Sequence, residues 1–365
     1  MADSFRRRAR AGAGLCVLLL LGALAPAACA RPGMPERSRV EDPMWQTYAA
    51  LFITPSGRVV DTGNEGISHS EGQSWGLLLA VAHGDRERFD RLWHWTHTNL
   101  GVRSDRLLAW RYDPAAEPPV RDRNNASDGD LMVAWAMWRA WERWGDRAYL
   151  EVSRRLREDI QQHLVRTQGG YTVLLPGRDG FVHGDSVYIN LSYLIMPALR
   201  DFAVIDPDGP WAALIEDGRR LLDAGRTGEA QLPPDWLALD ASGNLAPAPL
   251  WPPHFGFEAV RIPLYFIWGG VHERLNALCN INRLWTVELP PAWINVTSGE
   301  EATFPLSAGG LAVRALMQRS RELPPVSRDL SSQDYYSASL TMLARQAMRE
   351  RSIGGGRLLA CHTVP

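Results

Sequence analysis

The stretch "SWGLLLAVAHGDRERFDRLWHWTHTNL", residues 74–100, sets two helical segments of opposite character end to end. The first is apolar almost all round, while the second gathers charge on one face. A helix that is hydrophobic on every side must be buried, and an amphipathic one covers it. The same alternation recurs: "LMVAWAMWRAW" (131–141) and "FEAVRIPLYFIWGG" (257–270) are of the buried kind, and "YLEVSRRLREDIQQHL" (149–164) of the covering kind. Helical spacing of apolar residues runs over 40–52, 70–84, 86–99, 128–144, 147–166, 187–203, 210–224, 257–272, 304–319 and 334–349. Strand-like alternation is confined to short stretches bounded by Gly or Pro, "GYTVLLPG" (170–177) and "LWTVELP" (284–290). The expectation is an all-α protein with an inner and an outer ring of helices. A helical-repeat solenoid would need a residue signature at a fixed period, and only amphipathicity repeats.

The first 30 residues stand apart. "FRRRARAGAG" gives a basic start, "LCVLLLLGALA" an apolar core and Ala28-Cys29-Ala30 a small-residue cleavage pattern, which together predict a secretory signal peptide. The apolar run is shorter than the roughly 20 residues that span a bilayer, and no later run is longer, so no membrane span is expected after signal removal. A retained anchor is the alternative. Lipidation at Cys29 is another, although Pro26 stands where such signals carry an aliphatic residue. Residues 31–365 show no linker, charge block or low-complexity stretch, which predicts a single domain. With 39 Lys and Arg against 41 Asp and Glu, scattered along the chain, there is no nucleic-acid footprint. Cys279 and Cys361 remain beyond the signal; they form no metal-ligand cluster and allow at most one disulfide.

Three acidic helix starts carry the chemistry. Glu71 follows Ser68 and Ser70, two good capping types, and heads a buried helix flanked by Gly66, Gly72 and Gly76. Acids in a first turn complement the helix dipole, so a structural role competes with a catalytic one. A carboxyl partly stripped of water is suited to general acid work, because its pKa rises. In "NNASDGD" (124–130), Ser127 or Asp128 would cap the next buried helix. Glu258 and Arg261, three apart, share a helix face, either as a simple ion pair or facing a ligand. Trp75, Trp110, Tyr193 and the pair Tyr335-Tyr336 complete the inventory; each is either core or a platform for a ring-shaped substrate. Separated carboxylates with aromatic platforms are what glycoside hydrolysis requires.

Taken together, "SEGQSWGLLLAV", "AWRYDP", "NNASDGDLMVAWAM", "NLSYLIMPALRDF" and "FGFEAVRIPLYFIWGG" resemble, in order and spacing, glycoside hydrolase family 8, nearest its periplasmic cellulases encoded with bacterial cellulose synthase. The resemblance spans about residues 40–350. It implies an (α/α)6 barrel with an open groove that cleaves internal β-1,4-glucosidic bonds with inversion and without a cofactor or metal. It further implies a β-1,4-glucan substrate, a periplasmic location and a functional association with cellulose synthase machinery. By position, Glu71 matches the general acid, Asp128 the acid that contacts sugar beside the cleavage point, Trp110 and Tyr193 groove residues, and Arg261 the arginine after the base. Trp75 is expected to contact substrate. The pattern departs at Phe257-Glu258-Ala259-Val260-Arg261, where family members nearest in pattern read Tyr-Asp-Ala-x-Arg. Glu258 is then the expected base, with its carboxylate displaced by roughly 1 Å through the added methylene. Xylan, chitosan or mixed-linkage glucan as substrate, or an impaired polysaccharide-binding protein, are the competing readings.

Overall fold

The structure, a computed structural model, describes residues 41–320, 322–354 and 361. The signal-peptide segment and Cys29 lie outside the described residues. Twelve α-helices among the described residues form two layers. The inner ones are α2 (Ser70–His83), α4 (Ser127–Trp144), α6 (Met196–Ile205), α8 (Arg261–Trp268), α10 (Ala308–Met317) and α12 (Tyr335–Gly354). Between them in the chain come the outer ones, α1 (Pro43–Phe52), α3 (Arg86–Leu100), α5 (Arg147–Leu164), α7 (Trp211–Ala224), α9 (Asn276–Leu284) and α11 (Pro325–Arg328). Each inner helix packs on the next, α2 on α4, α4 on α6 and so on to α12, which returns to α2 and closes the ring. This is an (α/α)6 barrel.

The alternation read from sequence has a direct physical counterpart. In α2 every residue except Glu71 is buried, and α8 is buried throughout. In α3 only the stripe of Phe89, Leu92, Trp95, Thr96 and Leu100 faces inward. Two inner-to-outer junctions use the same Gly-Asp turn. Gly84 and Gly145 end α2 and α4 in the left-handed region, and the following Asp85 and Asp146 cap α3 and α5 by accepting from the amides of Arg88 and Ala148.

Several local expectations are corrected. The window 187–203 is not one helix: strand β6 (Ser186–Ile189) gives way to a 3-10 turn (Leu191–Tyr193), and α6 starts only at Met196. Pro197 explains the late start, since proline belongs in a first turn. For the same reason α8 begins at Arg261, with Pro263 in its first turn, and Glu258 lies in the turn before the helix. "LWTVELP" forms no strand; its alternation leaves Val287 and Leu289 more than half exposed. Short α9 and α11 carry no long apolar period and were not expected. Cys279 and Cys361 are joined in a disulfide.

The strands sit on the loops. The four-stranded antiparallel sheet has the order β5 (Val182–His183), β6, β7 (Leu237–Leu239), β8 (Leu245–Pro247), and Ile189 pairs with Leu237 at one end. No helix among the described residues is long and apolar enough to cross a membrane.

Candidate active site

The starts of α2, α4, α8 and α12 supply one cluster, and short backbone pairings set their register. Ser68 and His69 pair antiparallel with Tyr112 and Arg111. The Ser70 amide donates to the Trp110 carbonyl (3.0 Å), and the Trp110 amide to the Asn124 carbonyl (2.9 Å). Three chain segments thus lie side by side just ahead of Glu71 and Asp128. The closeness needs glycine: a Cβ on Gly129 would stand 2.4 Å from Ser70 Oγ and 2.9 Å from the Glu71 amide. The expected serine caps are not used. His69 Nδ1 accepts from the Gly72 amide (3.0 Å), and α4 has no side-chain cap. The other ring nitrogen, Nε2, faces Asp61 at 3.4 Å.

Arg261 is the hub. Its side chain is 2 % exposed, and its two terminal nitrogens divide the acids between them. Nη1 donates to Glu71 and stands 3.8 Å from Asp128 Oδ2, while Nη2 donates to Glu258 and to Ser192 Oγ (3.1 Å). Glu258 Oε2 also accepts from Asn190 Nδ2 (3.0 Å). Asp128 is buried, and its Oδ2 finds no hydrogen-bond partner among the described residues. Its environment supplies the reason. Burial pushes the Asp128 carboxyl well above the ordinary range, and the charge of Glu71 pushes the same way. Burial also acts to raise Glu71, but Arg261 and then His69 outweigh it and hold that carboxyl below its ordinary value. The two carboxyls are thus shifted in opposite directions: burial and the neighbouring charge hold Asp128 up, while Arg261 draws Glu71 down.

The aromatics divide. Tyr193 ends the 3-10 turn with its ring 5.8 Å from the Arg261 guanidinium. Trp110 is partly exposed and ties its Nε1 to Asp122 (2.7 Å). Trp75 is 0 % exposed, stacked on Tyr335 and tilted against Tyr336, so it is the floor of the site; the expectation that it contacts substrate is corrected. Tyr336 donates its hydroxyl to the Phe257 carbonyl in the turn that carries Glu258. Sequence reasoning missed Asn190, Ser192, His69 and Asp235. Asn190 and Ser192 lie in the quoted "NLSY", but only the strand-to-turn break aims them at Glu258.

One cation, three carboxyls and flanking aromatic rings make an arrangement able to donate a proton on one side and accept one on the other. The comparisons agree with that chemistry. The profile of "Glycosyl hydrolases family 8" matches residues 14–350. A probable endoglucanase from Novacetimonas hansenii is 41% identical over 315 residues, covering 85% of this chain and 91% of that protein. An endoglucanase from Cellulomonas uda is 43% identical over 276 residues, 74% of this chain and 76% of that protein. Among solved structures, a family 8 endoglucanase from Klebsiella pneumoniae superposes with a TM-score of 0.80 at 41% identity, covering 85% of this chain and all (100%) of that one. Matched by the profile along most of its length, and similar to these proteins in both sequence and fold, the chain belongs to glycosyl hydrolase family 8.

Proposed function

We propose that the protein is an inverting endo-β-1,4-glucanase in which Glu71 is the general acid, Glu258 the general base, and Asp128 the carboxyl that steadies the sugar at the cleavage point. The observation that carries this reading is the division of Glu71 and Glu258 between opposite nitrogens of one buried guanidinium. The resting proton on Asp128 passes to Glu71 and from it to the departing glycosidic oxygen. Asp128, now anionic, faces the positive charge that builds on the sugar ring. Glu258 takes a proton from the attacking water on the other face, and its exposure, 31 % against 17 % for Glu71, suits a group that works through solvent. Trp110 and Tyr193 line the groove. The substrate is cellulose-type glucan, cleaved during cellulose synthesis or export. Residues 1–30 act as a signal peptide to the periplasm, and residues 31–365 form one catalytic domain.

The test is hydrolysis of soluble cellulose derivatives by wild type, Glu71→Gln and Glu258→Gln, with the anomer of the first product recorded. Loss of turnover in both variants and an α-anomer from the wild type are expected. A β-anomer rules out inversion, faster cleavage of xylan or chitosan changes the substrate, and oligosaccharide binding without release of reducing ends replaces hydrolysis with a binding role.

A further inference from the structure

Glu258 lies outside any helix, so something else must fix its backbone. The turn from Gly256 to Val260 closes on itself through one bond, the Val260 amide to the Gly256 carbonyl (2.9 Å). Two of its remaining amides converge on a single side-chain atom: Asp235 Oδ1 accepts from Gly256 (3.0 Å) and from Ala259 (2.7 Å). The Asp235 amide in turn donates to the His254 carbonyl (2.6 Å), which ties the start of the turn to the same residue. Gly256 permits the approach, since a Cβ there would meet Asp235 Oδ2 and Trp293 Cβ at 3.1 Å each. Asp235 is placed by the sheet. It precedes β7, and because Ile189 pairs with Leu237, the end of the sheet that carries Asp235 also carries Asn190. One sheet end therefore holds the Glu258 backbone through Asp235 and the Glu258 carboxylate through Asn190 (3.0 Å).

We infer that Asp235 is a positioning residue for the reaction: it clamps the Gly256–Ala259 turn and so sets where the longer glutamate arm delivers its carboxylate. This rests on the reading of Glu258 as base. Asp235 needs only an acceptor oxygen for the task, and a neutral acid or an amide offers one as well as a carboxylate does. Burial pushes its carboxyl up to about 7, so the neutral form is already at hand near neutral pH.

The experiment compares wild type, Asp235→Asn, Asp235→Ala, Gly256→Ala and Glu258→Gln on cellopentaose, reading kcat, KM and melting temperature. Misplacement near 1 Å costs about 100-fold in rate, so Asp235→Ala is expected to lower kcat by about 10- to 100-fold with KM within about twofold. Asp235→Asn keeps the acceptor and should hold kcat within about threefold of wild type. If Asp235→Ala fails to fold, Gly256→Ala presses on the same turn from the other side and should lower kcat severalfold at unchanged KM. An Asp235→Asn variant as damaged as Asp235→Ala overturns the clamp, because charge and not the acceptor is then required. Full activity in Asp235→Ala, or in Gly256→Ala should Asp235→Ala not fold, overturns it as well. Glu258→Gln separates the two readings: wild-type turnover there sinks the base assignment, whereas an inactive Glu258→Gln beside a fully active Asp235→Ala sinks the clamp alone.

Discussion

The two acids on Arg261 stand on different kinds of scaffold. Glu71 and its neighbour Asp128 sit on the first turns of two inner helices that touch through a glycine, with Asp128 buried and Glu71 17 % exposed. Glu258 stands on a turn, a third exposed, and is held by side chains reaching from a sheet end and from α12. The first half is set by helix packing, which tolerates little change of volume, and the second by a handful of hydrogen bonds on a turn outside any helix. The difference teaches that, on the proposed roles, one active site can combine a proton donor set by helix packing with a proton acceptor set by hydrogen bonds on a turn.

Four results would sharpen or break this contrast. The largest effect belongs to Glu71→Gln, expected to reduce turnover by about 1000-fold with oligosaccharide binding retained, as measured by steady-state kinetics and calorimetry. Next comes a pair of shortened arms. Glu71→Asp should cost about 100-fold because the helix start cannot follow, whereas Glu258→Asp should stay within about 10-fold. Equal losses would erase the distinction between the halves.

The third comparison is one of stability. Gly129→Ala drives a methyl into Ser70 and the Glu71 amide and should lower unfolding free energy by about 1–3 kcal/mol, outweighing the gain in helix propensity. Gly256→Ala, with its nearest neighbours at 3.1 Å on an adaptable turn, should cost under about 1 kcal/mol. Urea denaturation of both variants decides.

The smallest effect concerns pH. Asp128 has a raised pKa in the folded chain, so folding retains a proton that the unfolded chain releases above the ordinary aspartate value of 3.8. Its contribution to stability is complete below that value and declines as pH rises. Asp128→Asn removes the decline and keeps a donor facing Glu71. It should be more stable than wild type at pH 7 by about 1 kcal/mol, match it below pH about 4, and lose turnover. A constant difference across that range would show that Asp128 is ionised in the resting fold.

The two-ring architecture was legible because burial imposes it on composition. "SWGLLLAVA" can only be inside and "RERFDRLWHWTHTNL" only outside, whatever the neighbours are. What escaped was whatever depends on distant pairing. Arg261 reads in sequence as a local partner of Glu258, three residues away; that it also binds Glu71, 190 positions earlier, follows from ring closure and leaves no local mark. The serines before Glu71 looked like caps, yet His69 took that place because Ser70 is already inside the helix and Ser68 Oγ accepts from Arg58 Nε and donates to the Val59 carbonyl. Trp75 had the composition of a platform, and only the packing of Tyr335 and Tyr336 over it makes it a floor. Asp235 gave no signal, since a lone acid after two prolines reads as loop.

The ring is closed by α12 returning to α2, and the Tyr48 hydroxyl meets Ser339 across 291 positions of sequence. Catalytic competence is therefore a property of the finished polypeptide. Without α12, Trp75 lacks its cover and the Phe257 carbonyl lacks the Tyr336 hydroxyl. Folds rich in contacts of long sequence separation fold more slowly than those built from local contacts. The floor of the site and the turn that carries Glu258 thus depend on the same helix that closes the ring.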